Sequence, residues 1–134
     1  MTTMHPTFDF LFIADHATFT HDGKLSLIGI FDRIVVKSAP TEEKPIVHPL
    51  ISAGYRIRDV DMSRDHEVQI DIVAPNGKIL LSRKTMHQKQ ASAEKVSGVF
   101  QVAQLRFEDV GAYTFKLTLD GTYMGETKLA VYVG

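Results

Sequence analysis

The fold is decided by the stretch Asp109-Val110-Gly111-Ala112-Tyr113, which continues as Thr114-Phe115-Lys116-Leu117-Thr118-Leu119 and then Asp120-Gly121. A D-x-G-x-Y corner thus leads into a strand of alternating apolar and polar residues, and Asp-Gly then predicts a tight turn. In antiparallel sandwiches of two sheets, a tyrosine at such a corner sends its hydroxyl back to the upstream backbone and fixes the crossover between the sheets. Asp109, Gly111 and Tyr113 are therefore the predicted structural corner.

Working outward from this corner, the chain reads as strands from end to end. The first strand, from Phe8 toward Phe19, carries apolar residues on both faces and is predicted to be central in its sheet. Ser38 to Pro49 contains three prolines, which favour an extended surface connection over a central strand. The short piece Arg33 to Lys37 can continue the second strand or stand alone. Residues 86–95 are expected to form a mobile loop or a single helical turn.

Seven or eight strands with turns at this spacing predict an all-β fold. We expect an immunoglobulin-like antiparallel β-sandwich that spans residues 1–134 as one domain. A barrel is the alternative, because spacing alone does not separate the two architectures.

Composition excludes several classes of function. Fifteen basic and sixteen acidic residues give a net charge of −1, so there is no electrostatic case for binding nucleic acid or an anionic membrane. The chain has no cysteine, which excludes disulfides and thiolate chemistry. The N-terminal residues carry no Lys or Arg, and the apolar run that follows is too short for a secretory signal. A cytoplasmic protein is therefore the expectation.

Histidines and carboxylates around the first turn are candidates for a metal site. Asp15, His16, His21 and Asp22 lie within eight positions of each other, and these side chains are ligands for a zinc-like ion. The spacing is not a recognised ligand motif, and neighbours in a strand point to opposite faces. His21 and Asp22 also have a simpler use as turn residues.

A second acidic group lies in the loop from Asp59 to Asp65, where Asp59, Asp61 and Asp65 offer oxygen ligands suited to calcium. Arg58 and Arg64 flank these carboxylates and offset their negative field. A solvated polar loop is the favoured interpretation.

Catalytic signatures are absent from the sequence. It contains no Gly-x-Ser-x-Gly elbow and no glycine-rich phosphate loop. We therefore predict no catalytic residues and no cofactor, and an enzyme is disfavoured. A metal- or small-ligand-binding domain with hydrolytic activity is the alternative that the histidines leave open.

The chain also resembles a family of short uncharacterised bacterial proteins. The resemblance rests on residues 12–17, on Asp22-Gly23-Lys24-Leu25, on residues 28–34, and on the later segments 68–77 and 111–131. Ala74-Pro75-Asn76-Gly77 stands where an Asp-Pro-x-Gly turn is more usual in that family. The resemblance implies a β-sandwich of bacterial or phage origin and transfers no site residues.

The function predicted from these observations is binding or assembly with another protein or with further copies of the same chain. The first strand is apolar on both faces, which is more than a two-layer sandwich needs. On the last strand, Met124, Ala130 and Tyr132 are expected on the outer face. Tyr123 and Tyr132 have opposite parity in that strand, so one of the two is predicted to face outward. The alternative is that residues 38–49 or 86–95 fold back over these positions.

Overall fold

The computed structural model describes residues 5–90 and 94–134, and this part of the chain forms nine strands and no helix. The described residues thus include no helix that could span a membrane. The strands are β1 (Thr7–Phe19), β2 (Leu25–Ile30), β3 (Arg33–Val36), β4 (Ile46–Arg58), β5 (His66–Val73), β6 (Ile79–His87), β7 (Lys95–Phe107), β8 (Gly111–Leu119) and β9 (Thr122–Val133).

The strands form two sheets packed as a sandwich, so the predicted all-β sandwich is confirmed and the alternative of a barrel is not. The first sheet has the order β2-β1-β4-β7 and the second has the order β3-β9-β8-β5-β6. Neighbouring strands are antiparallel except β3 and β9, which run parallel. The number of strands is nine because Arg33–Val36 is a separate strand. It does not continue β2 in the first sheet but pairs with β9 in the second.

Alternation along the strands builds the core between the sheets. On β8, Tyr113, Phe115, Leu117 and Leu119 are buried, while the residues between them are partly exposed. Phe107 and Tyr113 meet edge to face with their ring centroids 4.8 Å apart, which ties the first sheet to the second. The largest fully buried side chains are Tyr55, Tyr113, Phe107, Phe115, Ile51, Ile57, Ile70, Ile72, Leu117, Leu129, Val60 and Val68.

The corner before β8 is held by the Tyr113 hydroxyl. This hydroxyl donates to the carbonyl of Asp109 at 2.7 Å and accepts from the Asp109 N–H at 3.2 Å. Gly111 adopts a φ of 130°, and a Cβ at this position would lie 2.8 Å from Cγ of Pro75. The corner therefore needs glycine both for its backbone conformation and for its close approach to the neighbouring turn.

One sequence-based expectation about prolines was wrong. The segment up to Pro49 was expected to stay outside any central strand, but β4 begins at Ile46 and lies between β1 and β7. Pro49 is tolerated because it has no register partner on β7, where Gln104 adopts a φ of 57°. The pairing of β1 with β4 also ends at Ser52, so Pro49 interrupts neither ladder.

The segment 86–95 joins β6 to β7 without a helical turn in its described residues. Residues 86–87 extend β6 and Lys95 begins β7, while residues 91–93 lie outside the described part of the chain. The N–H of Lys89 donates to Asp65 at 2.9 Å. The N–H of Gln90 donates to the carbonyl of Met62 at 3.0 Å. The connection is therefore anchored on the loop between β4 and β5.

Candidate functional site

The four predicted metal ligands do not converge. Asp22 accepts a hydrogen bond from the Thr20 hydroxyl and lies 3.4 Å from the Lys24 ammonium, and these contacts hold the pKa of Asp22 below its ordinary value. His16 and His21 are exposed, and Asp15 lies against the backbone of Gly29. In residues 5–90 and 94–134, no three His, Asp or Glu side chains are grouped closely enough to hold a metal ion.

The carboxylates of the loop from Asp59 to Asp65 bind groups of the protein itself. Asp61 accepts from the N–H of Ser63 at 3.0 Å, and Asp65 accepts from the N–H of Lys89. Asp59 accepts from the hydroxyl of Thr7 at 3.3 Å. Asp61 and Asp65 thus stabilise a turn and a connection, and Asp59 contacts the start of β1.

A buried histidine links this loop to the turn between β8 and β9. His66 is the first residue of β5 and is fully enclosed, with Nδ1 2.6 Å from Oδ2 of Asp120 and Nε2 2.5 Å from the carbonyl of Asp61. A carboxylate and a carbonyl are both hydrogen-bond acceptors, so each ring nitrogen of His66 faces an acceptor and the ring is held from two sides.

Asp120 is the acceptor at the centre of this network. It also accepts from the N–H of Glu67 at 2.8 Å and lies 3.6 Å from the guanidinium of Arg64. Burial raises the pKa of Asp120, but the bonds from Glu67 and His66 and the charge of Arg64 outweigh burial and lower the pKa overall. Asp120 is therefore ionised in the folded protein at neutral pH.

A pocket opens beside Asp120, at one end of the sandwich. Its volume is about 470 Å³, which is within the range of small-molecule sites. Apolar side chains and three charged ones line it together: Phe8, Leu119 and Met124 with Asp61, Arg64 and Asp120. This end pocket can accept a small molecule with both apolar and polar groups.

A second histidine joins the two sheets. Nε2 of His87, at the end of β6, lies 2.6 Å from the hydroxyl of Tyr55, a buried residue of β4. Burial lowers the pKa of His87, and the nearby charge of His66 lowers it further; burial also raises the pKa of Tyr55. A neutral His87 therefore accepts from the Tyr55 hydroxyl, and this bond is internal to the fold.

Large apolar side chains are exposed along one side of the sandwich, which we term the apolar edge. β2 and β3 are the last strands of their sheets on this side, and only Phe31 and Asp32 connect them. On β2, Ile28 is 60% exposed, and on β1, Phe12 is 43% exposed. The apolar edge comprises Phe12, Ile28, Ile30, Val35, Tyr132 and Val133.

A cleft runs into the apolar edge between the two sheets. It has a volume of about 400 Å³, and Phe12 and Ile30 form its rim together with Asp32. Phe12 also stacks on Phe10, with the ring centroids 5.4 Å apart, and the guanidinium of Arg56 covers Phe10. Phe10 is thus shielded within the chain, whereas Phe12 and Ile30 present their apolar surface to solvent.

Residues 38–49 and 86–95 are the two connections that were expected to cover β1, but their described contacts are with other parts of the structure. The carbonyl of Glu42 accepts from Arg106 at 2.8 Å, which places that connection beside the end of β7. Residues 89 and 90 bind the loop between β4 and β5. These contacts therefore do not cover the side chain of Phe12, which is exposed to solvent.

Two expectations about β9 were wrong, for one reason. Tyr123 and Tyr132 are both exposed, and Met124 packs partly against the core instead of facing outward. Leu117 pairs with Gly125 and Thr118 pairs with Tyr123, so Met124 is an extra residue. This β-bulge shifts the alternation between the two halves of the strand.

The roles of His66 and His87 were missed at the level of sequence, although His66 had a readable signal. His66 has the same parity as Val68, Ile70 and Ile72, so alternation alone places it on the inner face. Its partner Asp120 is 54 positions away. No local pattern connects two residues at that separation.

Comparison with known proteins identifies a family for this chain but assigns it no activity. The model of a family of unknown function (DUF6941) matches residues 9–132. No curated protein matches the chain. An immunoglobulin-like protein from Pseudomonas aeruginosa shares 9% identity over 95% of this chain and 96% of its own, with a TM-score of 0.43. A β-glucosidase from Listeria innocua shares 9% identity over 96% of this chain, which spans 16% of that enzyme, with a TM-score of 0.46.

Proposed function

We propose that this chain, which belongs to the DUF6941 family of unknown function, is a non-enzymatic module that binds another protein or a second copy of itself. The observation that supports the proposal is the apolar edge. Single exposed apolar residues are common on protein surfaces, but several on one edge, two of them lining one cleft, favour an interaction site.

The energetics favour a partner on this side. Complete burial of one Ile or Phe side chain contributes about 1.5–3 kcal/mol, and a half-exposed one gains roughly half of that on binding. Phe12 and Ile30 already flank a cleft, so an inserted apolar side chain of a partner would contact both. A few such contacts supply the anchors around which protein interfaces are built.

The proposal is tested by comparing two isoleucines of equal exposure on different edges. Ile28 on β2 is 60% exposed and Ile79 on β6 is 59% exposed. Purified, tagged protein is presented to native lysate, and stoichiometric partners are quantified for the parent, Ile28→Lys and Ile79→Lys. Self-association of the purified protein is measured in parallel.

We expect Ile28→Lys to lose the partner or the self-association and Ile79→Lys to keep it. Binding that survives Ile28→Lys, or that both substitutions weaken equally, would overturn the proposal. Circular dichroism of both variants verifies that each remains folded.

Small-molecule binding in the end pocket is the second candidate. It is supported by the convergence of Arg64, Asp61 and Asp120 over an apolar floor. His66 is a poor general base there, because both of its ring nitrogens are engaged and its side chain is buried. Ligand-observed NMR with a fragment library tests this candidate, and bound fragments should be lost in Met124→Lys.

A cytoplasmic location and a bacterial or phage origin are part of the proposal. The cysteine-free sequence supports the location. The origin is supported by the resemblance to short bacterial proteins in residues 12–34, 68–77 and 111–131.

A further inference from the structure

Four strands lie at the edges of the two sheets: β2 and β7 in the first, β3 and β6 in the second. Natural proteins prevent edge strands from pairing with other chains by charges, short length or irregular backbone. β3 has only four residues, and β6 carries Arg83 and Lys84. β7 carries the charged residues Lys95 and Arg106.

β2 differs from these three strands in its side chains. Its sequence, Leu25-Ser26-Leu27-Ile28-Gly29-Ile30, contains no charged residue and no proline. Its last three residues are all exposed. Gly29 adopts a φ of 73°, which makes a local kink in β2. Pairing of β2 with another strand is therefore expected before and after this kink. β2, on which Ile28 and Ile30 are exposed, is thus the one edge strand of the described residues that lacks a charged residue.

We infer that β2 pairs antiparallel with β2 of a second copy across a two-fold axis, so that two four-stranded sheets become one eight-stranded sheet. This inference rests on the proposed function, and it identifies the binding partner as a second copy of this chain. Main-chain hydrogen bonds would join the strands, as in other cases of strand addition. The self-complementary contact closes as a dimer and leaves no further β2 edge free.

The charges at the ends of β2 select the antiparallel arrangement. Lys24 and Asp32 flank opposite ends of the strand and are both well exposed, and each forms a surface ion pair within its own chain, Lys24 with Asp22 and Asp32 with Arg33. With Ile28 on the two-fold axis, Lys24 of one copy lies opposite Asp32 of the other. A shift by one residue instead places Asp22 opposite Arg33, which again joins opposite charges. A parallel pairing in register would place each charge beside its own kind.

The apolar edge adds side-chain contacts to this pairing. Ile28 of the two copies would meet at the axis, and Ile30 would lie opposite Ser26 of the second copy. Because Phe12 lines the same cleft as Ile30, it would be covered at the margin of the new contact. The interface is small compared with permanent dimers, so we expect a dimer that dissociates on dilution.

A cysteine placed at the axis gives a direct test, because the chain has no cysteine of its own. Directly opposed residues of antiparallel strands have Cα atoms about 4.5–5.5 Å apart, which lies within disulfide range. Ile28→Cys should form a disulfide-linked dimer quickly under mild oxidation. Ile79→Cys, at equal exposure on β6, is the matched control and should remain monomeric.

Sedimentation equilibrium of the unsubstituted protein complements the cross-linking. We expect a concentration-dependent dimer that Ile28→Lys abolishes and Ile79→Lys leaves intact. Two results would overturn the inference. One is equal cross-linking of both cysteine variants, and the other is sedimentation as a monomer at every concentration from low micromolar to near-millimolar. If the monomeric protein still captures a different protein through Ile28, this inference fails while the proposed function stands.

Discussion

At the scale of single residues, the most constrained side chains are buried polar ones that have found partners. Tyr113 bonds both the N–H and the carbonyl of Asp109, and His66 bonds Asp120 and the carbonyl of Asp61. An unpaired buried polar group is costly, so each partner stabilises the other in its place. Both networks hold connections between strands rather than reactive groups.

Removal of the Tyr113 hydroxyl should weaken the corner. Tyr113→Phe keeps the ring but loses two hydrogen bonds, and we expect the free energy of unfolding to fall by about 1 kcal/mol. Urea denaturation measures this loss. Tyr123→Phe is the control, since its hydroxyl bonds Glu126 on the surface and its loss should be within about 0.5 kcal/mol. Equal stability of Tyr113→Phe and the parent would contradict the role of the corner.

Acid should destabilise the fold partly through Asp120. Its pKa is lower in the folded than in the unfolded chain, so its stabilisation is present above the unfolded value of about 3.9 and is lost as pH falls through the folded value. Asp120→Asn removes this titration, and asparagine tolerates the φ of 50° at this position.

We expect Asp120→Asn to be less stable than the parent at neutral pH, with the difference shrinking as the pH falls below about 3.9. Urea denaturation at a series of pH values measures the two stability curves. Parallel curves for both proteins would show that Asp120 does not contribute to the acid sensitivity.

At the scale of the elements, the contact between β4 and β7 depends on a glycine that faces a tyrosine. A Cβ at Gly98 would overlap the hydroxyl of Tyr55, which is held by His87 from the other sheet. The absence of a side chain on β7 thus makes room for a bond that crosses between the sheets.

Gly98→Ala should therefore be destabilising although alanine suits a strand no worse than glycine. Overpacking of a buried site typically costs about 1–3 kcal/mol, and we expect a loss of that size in thermal or urea unfolding. Ser97→Ala, the neighbouring position of the same strand, should stay within about 0.5 kcal/mol. A Gly98→Ala variant as stable as Ser97→Ala would show that Tyr55 moves aside freely.

At the scale of the whole molecule, the two sheets share one core and are tied at several points. Phe107 meets Tyr113, Tyr55 meets His87, and the chain passes from β2 in one sheet to β3 in the other. Neither sheet can bury its inner face without the other. This arrangement predicts a single cooperative unit.

Unfolding should accordingly be two-state. With four tyrosines and no tryptophan, tyrosine fluorescence reports on packing and far-ultraviolet circular dichroism reports on the strands. We expect both signals to change at the same denaturant concentration. Two separated transitions would show that one sheet survives the loss of the other.

The sequence by itself determined the features that depend on near neighbours. Alternation identifies the buried faces of β5 and β8, the Asn76-Gly77 and Asp22-Gly23 turns lie where expected, and the pattern from Asp109 to Tyr113 predicts the two-sheet fold. These signals are local because a backbone conformation and the parity of a strand are set by a few consecutive residues.

Only the tertiary structure decided which distant residues meet. It moved Arg33–Val36 into the second sheet, let Pro49 into β4 opposite the irregular Gln104, and shifted the parity of β9 at Met124. The same holds for the bond between His66 and Asp120 and for the grouping of the apolar edge. Strand order and bulges arise from pairing between segments far apart in the chain, and no local pattern encodes that pairing.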